Sequence, residues 1–164
     1  MKLKALVLIL ILSLSFMISG DDQKEIKYDP TKEKIIEEKT LEPVLLAQED
    51  FYVHNGMLVF RKTINGNWPC MGPFPSVYIN TVPFEVDVTG LKLPAKKIIA
   101  TCSLGHFTDS GGGGRWALEI LENSLEWNAV NQKWYIRIKF RIMVHGYTGI
   151  VNQINFFGKE SCFS

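Results

Sequence analysis

The segment Trp134–His145 reads Trp-Tyr-Ile-Arg-Ile-Lys-Phe-Arg-Ile-Met-Val-His, and its apolar residues alternate with cations. Successive side chains of a strand point to opposite faces, so this period of two predicts a long β-strand with one buried face. A helix would scatter the cations around its circumference. The apolar face comprises Ile136, Ile138, Phe140, Ile142 and Val144; the opposite face carries Tyr135, Arg137, Lys139 and Arg141.

Turn signals on either side of short apolar runs predict further strands. Asn55-Gly56 supplies the positive φ angles of a tight hairpin turn, which predicts a hairpin between 51–54 and 57–60. Asn65-Gly66 is predicted to close the next strand, and residues 67–76, rich in proline, are predicted to form an irregular loop. The other predicted strands are 77–82 and 84–88, separated by Pro83, then 97–104, 115–121 and 150–157.

This spacing of strands and turns predicts one all-β domain over residues 51–164, an antiparallel, jelly-roll-like β-sandwich. One alternative is local. A helix over 116–127 competes with a strand, because alanine, leucine and glutamate are good helix formers. The β-like flanks favour the strand.

Residues 1–20 have the pattern of a secretory signal peptide: Lys2 and Lys4, an apolar run over 5–18, and a small residue, Gly20, before two aspartates. The alternative is a membrane anchor, but spanning a bilayer takes roughly 20 apolar residues and this run is shorter. We therefore expect a secreted protein, extracellular or periplasmic, with no transmembrane segment in its mature form.

Residues 21–50 form an acidic leader, with five Lys/Arg against ten Asp/Glu, whereas residues 51–164 carry eleven against seven. Asp29 as N-cap and Pro30 at the first helical position predict a short helix in this leader. The leader is either a solvated tether or a mask that covers the cationic strand face.

Three cysteines, Cys70, Cys102 and Cys162, enter an oxidising compartment if the chain is exported. Cys102 shares its parity with apolar neighbours and is expected to be a buried free thiol. A Cys70–Cys162 disulfide is therefore predicted, with the two other pairings and the absence of any bridge as alternatives.

Several residue groups resemble the ingredients of an active site. His106, Asp109 and Ser110 are triad residues, but a triad usually draws on distant segments, so a loop before the glycines 111–114 is favoured. His54, His106 and His145 lack the spacing of a metal site, and no cofactor motif is present. Glu119, Glu122 and Glu126 are interpreted as cross-strand partners of the cations rather than a glycosidase pair.

Two surfaces are candidates for ligand binding. Tyr135, Arg137, Lys139 and Arg141 would present a cationic surface to acidic glycans or an anionic envelope, unless they are merely a solvated face. Trp68 and Phe74 lie in the predicted loop and either contact a ligand or cover the core.

The sequence favours a binding module for a glycan, an anionic surface component or a protein over an enzyme. A secreted hydrolase and a structural or assembly protein are the alternatives. A net charge of only +4 over residues 51–164 and an exported destination argue against nucleic acid.

Overall fold

The computed structural model of the protein describes residues 33–86 and 98–160, and the predicted signal peptide lies outside them. A single 3₁₀ turn, Gln48–Asp50, is the only helical segment in these two ranges. The nine described strands are β1 (Lys34–Thr40), β2 (Val44–Leu46), β3 (Phe51–His54), β4 (Met57–Pro69), β5 (Ser76–Val86), β6 (Ile98–Asp109), β7 (Arg115–Asn128), β8 (Lys133–His145) and β9 (Gly149–Glu160).

These strands form two packed sheets. The first sheet has the order β1-β5-β8-β7, with β2 also paired to β5, and the second has the order β3-β4-β9-β6. The all-β sandwich is thereby confirmed, but it is not wholly antiparallel, because β1 and β2 run parallel to β5. The chain passes through β3 and β4 in the second sheet before β5, which gives it the long connection that a parallel pair requires.

The core lies between the inner faces of the two sheets. All five apolar residues predicted to face inward from β8 are fully buried. The Phe140 ring centroid lies 5.2 Å from that of Phe156 on β9, and Phe84 on β5 lies 5.4 Å from Phe156. The rings meet at steep angles, which is a favourable geometry for aromatic pairs. These contacts join the two sheets through their central strands.

The choice between helix and strand over 116–127 is decided in favour of the strand. β7 pairs with β8 along its whole length, in one antiparallel hairpin. Next to the turn of this hairpin, Trp127 lies directly opposite Trp134, with ring centroids 5.4 Å apart. Cross-strand aromatic pairs of this kind stabilise a hairpin, and here the pair outweighs the helical propensity of the segment.

The two Asn-Gly pairs have different structures. Asn55 and Gly56 have φ angles of 49° and 75°, which confirms the predicted β3–β4 turn. At Asn65-Gly66 the predicted turn is wrong, because β4 continues to Pro69 with a register shift between Asn65 and Trp68. A Cβ atom on Gly66 would lie 2.2 Å from the Trp68 ring. Glycine here therefore lets a bulged strand pack against an indole.

Pro83 does not separate two strands, since β5 runs through it without interruption. Beside β5, the β1 pairing ends at Thr81 and the β2 pairing begins at Phe84. Pro83 thus lies at the junction between two edge partners, a position compatible with its missing N–H. The irregular loop predicted for 67–76 covers only residues 70–75, because β4 ends at Pro69 and β5 begins at Ser76.

The described part of the acidic leader is extended, so its predicted helical character is wrong for β1. β1 and β2 are strands of the first sheet, and Ile36 and Leu41 pack against the core. The sandwich therefore begins before residue 51. A short helix is marginal in water, whereas the edge of β5 offers both hydrogen bonds and apolar burial.

Cys70 is a free thiol in the structure, and the Cys70–Cys162 disulfide expected from the sequence stays a prediction. Cys70 is buried, and its Sγ donates a hydrogen bond to the carbonyl of Gly72 at 3.3 Å. Cys162 lies outside the described residues. Cys102 is free as predicted, and burial raises the pKa of its thiol to about 11. A thiol with that pKa is almost wholly protonated at neutral pH and therefore a poor nucleophile.

Candidate functional site

The predicted cationic residues form a row on the outer face of the first sheet, along its central strand β8. We call Arg137, Lys139 and Arg141 the cationic row. Each of them contacts a carboxylate: Arg137 Nε lies 2.7 Å from Glu126, Lys139 Nζ 3.0 Å from Glu38, and Arg141 pairs with both Glu33 and Glu119. The charge of the row is thus compensated by the chain itself.

The compensating acids come from both sides of β8. Glu119 and Glu122 on β7 lie opposite Arg141 and Lys139, as the cross-strand interpretation predicts. Glu33 and Glu38 belong to the acidic leader, which reaches the row by pairing as β1 with β5. The hydrogen bond between Glu33 and Arg141 raises the pKa of the Arg141 guanidinium. The acids of β7 and those of the β1 segment therefore lie on opposite sides of the cations, within the same sheet.

Tyr135 is placed differently from the three cations. Its side chain is only 6% exposed, and its hydroxyl donates a hydrogen bond to Glu85 at 3.0 Å. Asn131 Nδ2 in turn donates to the Tyr135 hydroxyl at 2.6 Å. The ring lies 5.8 Å from the guanidinium carbon of Arg137. Tyr135 thus contacts Arg137 of the cationic row, but its own side chain is covered and offers little surface to a ligand.

The compensation of the row leads to a first prediction. Glu38→Gln combined with Glu126→Gln removes the partners of Lys139 and Arg137, so the protein should elute from immobilised heparin at higher salt. Because the pairs are exposed, the free energy of unfolding should change by less than about 1 kcal/mol. The measurement is the salt concentration at elution, at constant pH.

The control for this prediction is Glu42→Gln combined with Glu49→Gln, which changes the net charge equally at two exposed sites that form no ion pair with a residue of 33–86 or 98–160. If both double variants shift equally, the effect is one of net charge and the row has no special role. Deleting residues 21–50 is not a clean alternative, because it removes β1 and β2 from the sheet.

Trp68 and Phe74, the two aromatic residues predicted to bind ligand from one loop, are separated by the fold. Trp68 belongs to β4, is 3% exposed, and donates a hydrogen bond from Nε1 to Asn80 Oδ1 at 2.8 Å. It is therefore a core residue, which agrees with the second of the two alternatives given for it. Phe74 lies in the loop between β4 and β5 and is 50% exposed.

The loop that carries Phe74 is one of three that meet at the same end of the sandwich. We call residues 70–75, 110–114 and 146–148 the loop end. Cys70 N–H donates to the carbonyl of Gly149 at 2.9 Å, and Gly111 N–H donates to Thr148 Oγ1 at 2.8 Å. Three large apolar side chains are exposed there: Met71 at 60%, Phe74 at 50% and Tyr147 at 77%.

Asp109 holds the glycine loop of the loop end in place. One of its carboxylate oxygens accepts hydrogen bonds from Gly111 N–H, at 3.1 Å, and from the Thr148 hydroxyl, while the other accepts from Gly114 N–H. The Thr148 hydroxyl and these amides lower the pKa of the Asp109 carboxyl. The first and last of the four glycines, Gly111 and Gly114, thus both bind the same carboxylate.

This arrangement does not assemble a catalytic triad. Asp109 is engaged by the loop, whereas the nearest polar contact of the His106 ring is Asn152 Nδ2, at 3.5 Å. Within 33–86 and 98–160, no group of three or more histidine, cysteine, aspartate or glutamate side chains is suited to a metal ion.

A further polar surface, the outer face of the second sheet, was not anticipated. Its central strand β9 places Asn155 between Thr63 of β4 and Ser103 of β6, and Gln153 between Asn65 and His106. We call these six residues the amide face. Thr63 Oγ1 donates to Asn155 Oδ1 at 2.6 Å, and Gln153 Nε2 donates to Asn65 Oδ1 at 3.0 Å.

Comparison with protein-family models, curated proteins and solved structures finds no match to this chain. In the part of the chain that the structure describes, no helix has the length and apolar character needed to cross a membrane.

The sequence alone does not predict the amide face, because its residues come from three segments that are distant along the chain. Gln153 and Asn155 alternate with the buried Val151, Ile154 and Phe156 less regularly than in β8, since bulges interrupt the pairing of β6 with β9. The Asn65-Gly66 pair, moreover, predicts a turn rather than a strand. The usable signal was the recurrence of amides and hydroxyls, without charges, at alternate positions of predicted strands.

Proposed function

We propose that this protein is an exported binding module that recognises a surface ligand, and that its loop end attaches it to a lipid-containing surface. The observation that carries the proposal is the exposure of Met71, Phe74 and Tyr147 on two of the three connected loops. The export signal and the jelly-roll-like arrangement of the sandwich are predictions from the sequence that accompany this proposal.

The composition of the three loops supports a lipid interface as the ligand. None of residues 70–75, 110–114 and 146–148 is lysine, arginine, aspartate or glutamate. Inserting these loops among lipid headgroups and upper acyl chains therefore requires no desolvation of a charge within them. Tyrosine is a favoured residue at the boundary between water and lipid. Arg115, exposed directly after the glycine loop, could meet a headgroup phosphate.

The hydrogen bonds within the loop end support the proposal from a second direction. A surface that is ordered before binding loses less conformational entropy on binding than a flexible one. Asp109 holds the glycine loop and Gly149 holds the β4–β5 loop, so the apolar tips are presented by a preformed framework. The low pKa of the Asp109 carboxyl keeps it ionised, and the loop hydrogen bonds present, in mildly acidic solution.

A second prediction tests this proposal. In a chain that begins at Asp21, Met71→Ser, Phe74→Ser and Tyr147→Ser together should lower binding to phosphatidylcholine vesicles at least about tenfold, measured by flotation. Burying a large apolar side chain fully contributes about 1.5–3 kcal/mol, and about 1.4 kcal/mol corresponds to a factor of ten. Partial burial of these three side chains in the lipid is sufficient for this effect.

The matched control replaces exposed apolar residues on other surfaces, Val53→Ser and Val130→Ser, and should bind vesicles like the parent. The proposal is wrong if the parent chain does not float with any vesicle, or if the control loses as much binding as the triple variant. Added anionic lipid should strengthen binding modestly, through Arg115, and only at low salt.

A further inference from the structure

The amide face differs in kind from the two surfaces considered above. On the first sheet, the outer face carries charges that neutralise one another, and at the loop end the exposed groups are apolar. The amide face carries neither charge nor large apolar groups. Its six residues supply amides, hydroxyls and one imidazole, arranged in two adjacent rows across three strands.

The residue types on this face are poor choices for strand stability. Asparagine and glycine are depleted in strands, yet Asn65 and Asn155 lie on β4 and β9, and Gly105 lies in β6 beside them. A Cβ atom on Gly105 would lie 3.0 Å from the Gln153 side chain, so glycine leaves that amide room. A sheet built for stability alone would place β-branched residues at these positions.

The hydrogen bonds within the face leave part of each amide available. The Thr63 hydroxyl donates to Asn155 Oδ1, so the Asn155 Nδ2 group keeps its two donors for a ligand. In the same way, Gln153 donates to Asn65 Oδ1, and the Asn65 Nδ2 group keeps its donors. Gln153 keeps its Oε1 as an acceptor. Each internal bond orients one side of an amide, so the other side points in a defined direction. The face therefore presents a fixed array of neutral donors and acceptors.

One row further along β9 the surface becomes partly apolar. Phe157 lies between Arg61 of β4 and Thr101 of β6, and the Arg61 guanidinium carbon lies 5.5 Å from the centre of its ring. A sugar has the matching combination of chemistry: hydroxyls that both donate and accept, and an apolar C–H surface that packs on an aromatic ring. Ligand sites commonly combine a few oriented polar groups with such an apolar contact.

We propose that the amide face is a binding site for an uncharged oligosaccharide. Asn155 and Gln153 are the central contacts, Thr63, Asn65, Ser103 and His106 line them, and Phe157 borders the site. The site is separate from the loop end and does not depend on lipid binding. Because it contains no charge in its two rows, it should not discriminate in favour of sulfated or carboxylated sugars.

The test is an array of neutral hexose and N-acetylhexosamine oligosaccharides printed beside sulfated and sialylated ones, probed with the chain that begins at Asp21. We expect binding to at least one neutral oligosaccharide, and a signal that persists in about 0.5 M salt because no ion pair contributes. Asn155→Ala combined with Gln153→Ala should reduce that signal at least about tenfold. Asn155→Asp, which keeps the side-chain shape and adds charge, should reduce it as well.

Two controls separate this site from the other surfaces. Arg137→Glu combined with Arg141→Glu, and the triple loop-end variant, should both retain the neutral oligosaccharide signal. Equal unfolding midpoints for the parent and Asn155→Asp show that a lost signal is not a folding defect. The proposal is overturned by an array without neutral binders, by retention of binding in both amide-face variants, or by binding that requires the cationic row.

Discussion

Phe140→Ala is expected to lower the free energy of unfolding by about 3–5 kcal/mol. Phe140 is fully buried in the middle of β8, and its ring contacts Phe156 at 5.2 Å and Trp68 at 6.3 Å between centroids. Removing the ring forfeits its transfer free energy and leaves a cavity between two sheets that are held apart by neighbouring aromatics. Urea-induced unfolding followed by tryptophan fluorescence measures this loss.

The loss would be a large share of the stability of a domain of this size, which is about 5–15 kcal/mol. Val130→Ala is the comparison, because Val130 is 96% exposed and its truncation should change stability by no more than about 0.5 kcal/mol. If Phe140→Ala unfolds at the same urea concentration as Val130→Ala, then the inner face of β8 does not form the core described here.

Trp68→Ala should have a destabilising effect of similar size, about 3–5 kcal/mol. The indole is buried against Phe140, and its N–H bonds to the fully buried Asn80. Trp68→Phe retains most of the apolar volume but leaves Asn80 Oδ1 without its donor. A buried group left unsatisfied costs about 1–3 kcal/mol, so the phenylalanine variant should lie between the parent and the alanine variant.

The order of the three unfolding midpoints distinguishes a core role for Trp68 from a role in ligand binding. A surface tryptophan that binds ligand would lose binding on substitution but keep its midpoint. Unchanged midpoints in both variants would therefore contradict a core role for Trp68 and leave it a candidate ligand contact. Thermal unfolding monitored by near-ultraviolet circular dichroism provides this measurement without a ligand.

Local patterns predicted the parts of the fold in which one segment carries the whole signal. In β8 the alternation is strict, since every second residue from Ile136 to Val144 is buried. At Asn55-Gly56 the turn is decided by two residues that tolerate positive φ. In both cases neighbouring residues along the chain suffice, because the period of a strand and the geometry of a tight turn are local properties of the backbone.

Predictions failed where a distant partner outweighed local preference. Asn65-Gly66 has the composition of a turn, but the pairing of β4 with β9 and the Trp68 ring hold it in a bulge. Lys34–Thr40 has helix-forming residues near a good N-cap, but the edge of β5 takes it as a strand.

The candidate sites also differ in whether local sequence pattern or distant segments decide them. Phe74 and the cations of β8 could be named from the sequence, because exposure in a proline-rich loop or at alternate strand positions follows from local pattern. The carboxylates that neutralise the cations, the union of three loops at one end, and the two rows of amides could not be named. They depend on register between strands that lie far apart in the chain.

The sequence by itself determined that this protein is a β-sheet protein, which face of β8 is buried, and where its first hairpin turns. Only the tertiary structure decided which surfaces remain available. It joined the acidic leader to the first sheet, turned Trp68 into the core and brought Thr63, Asn155 and Ser103 into one row. The physical reason is that burial and charge compensation are properties of pairs of segments, whereas periodicity is a property of one segment.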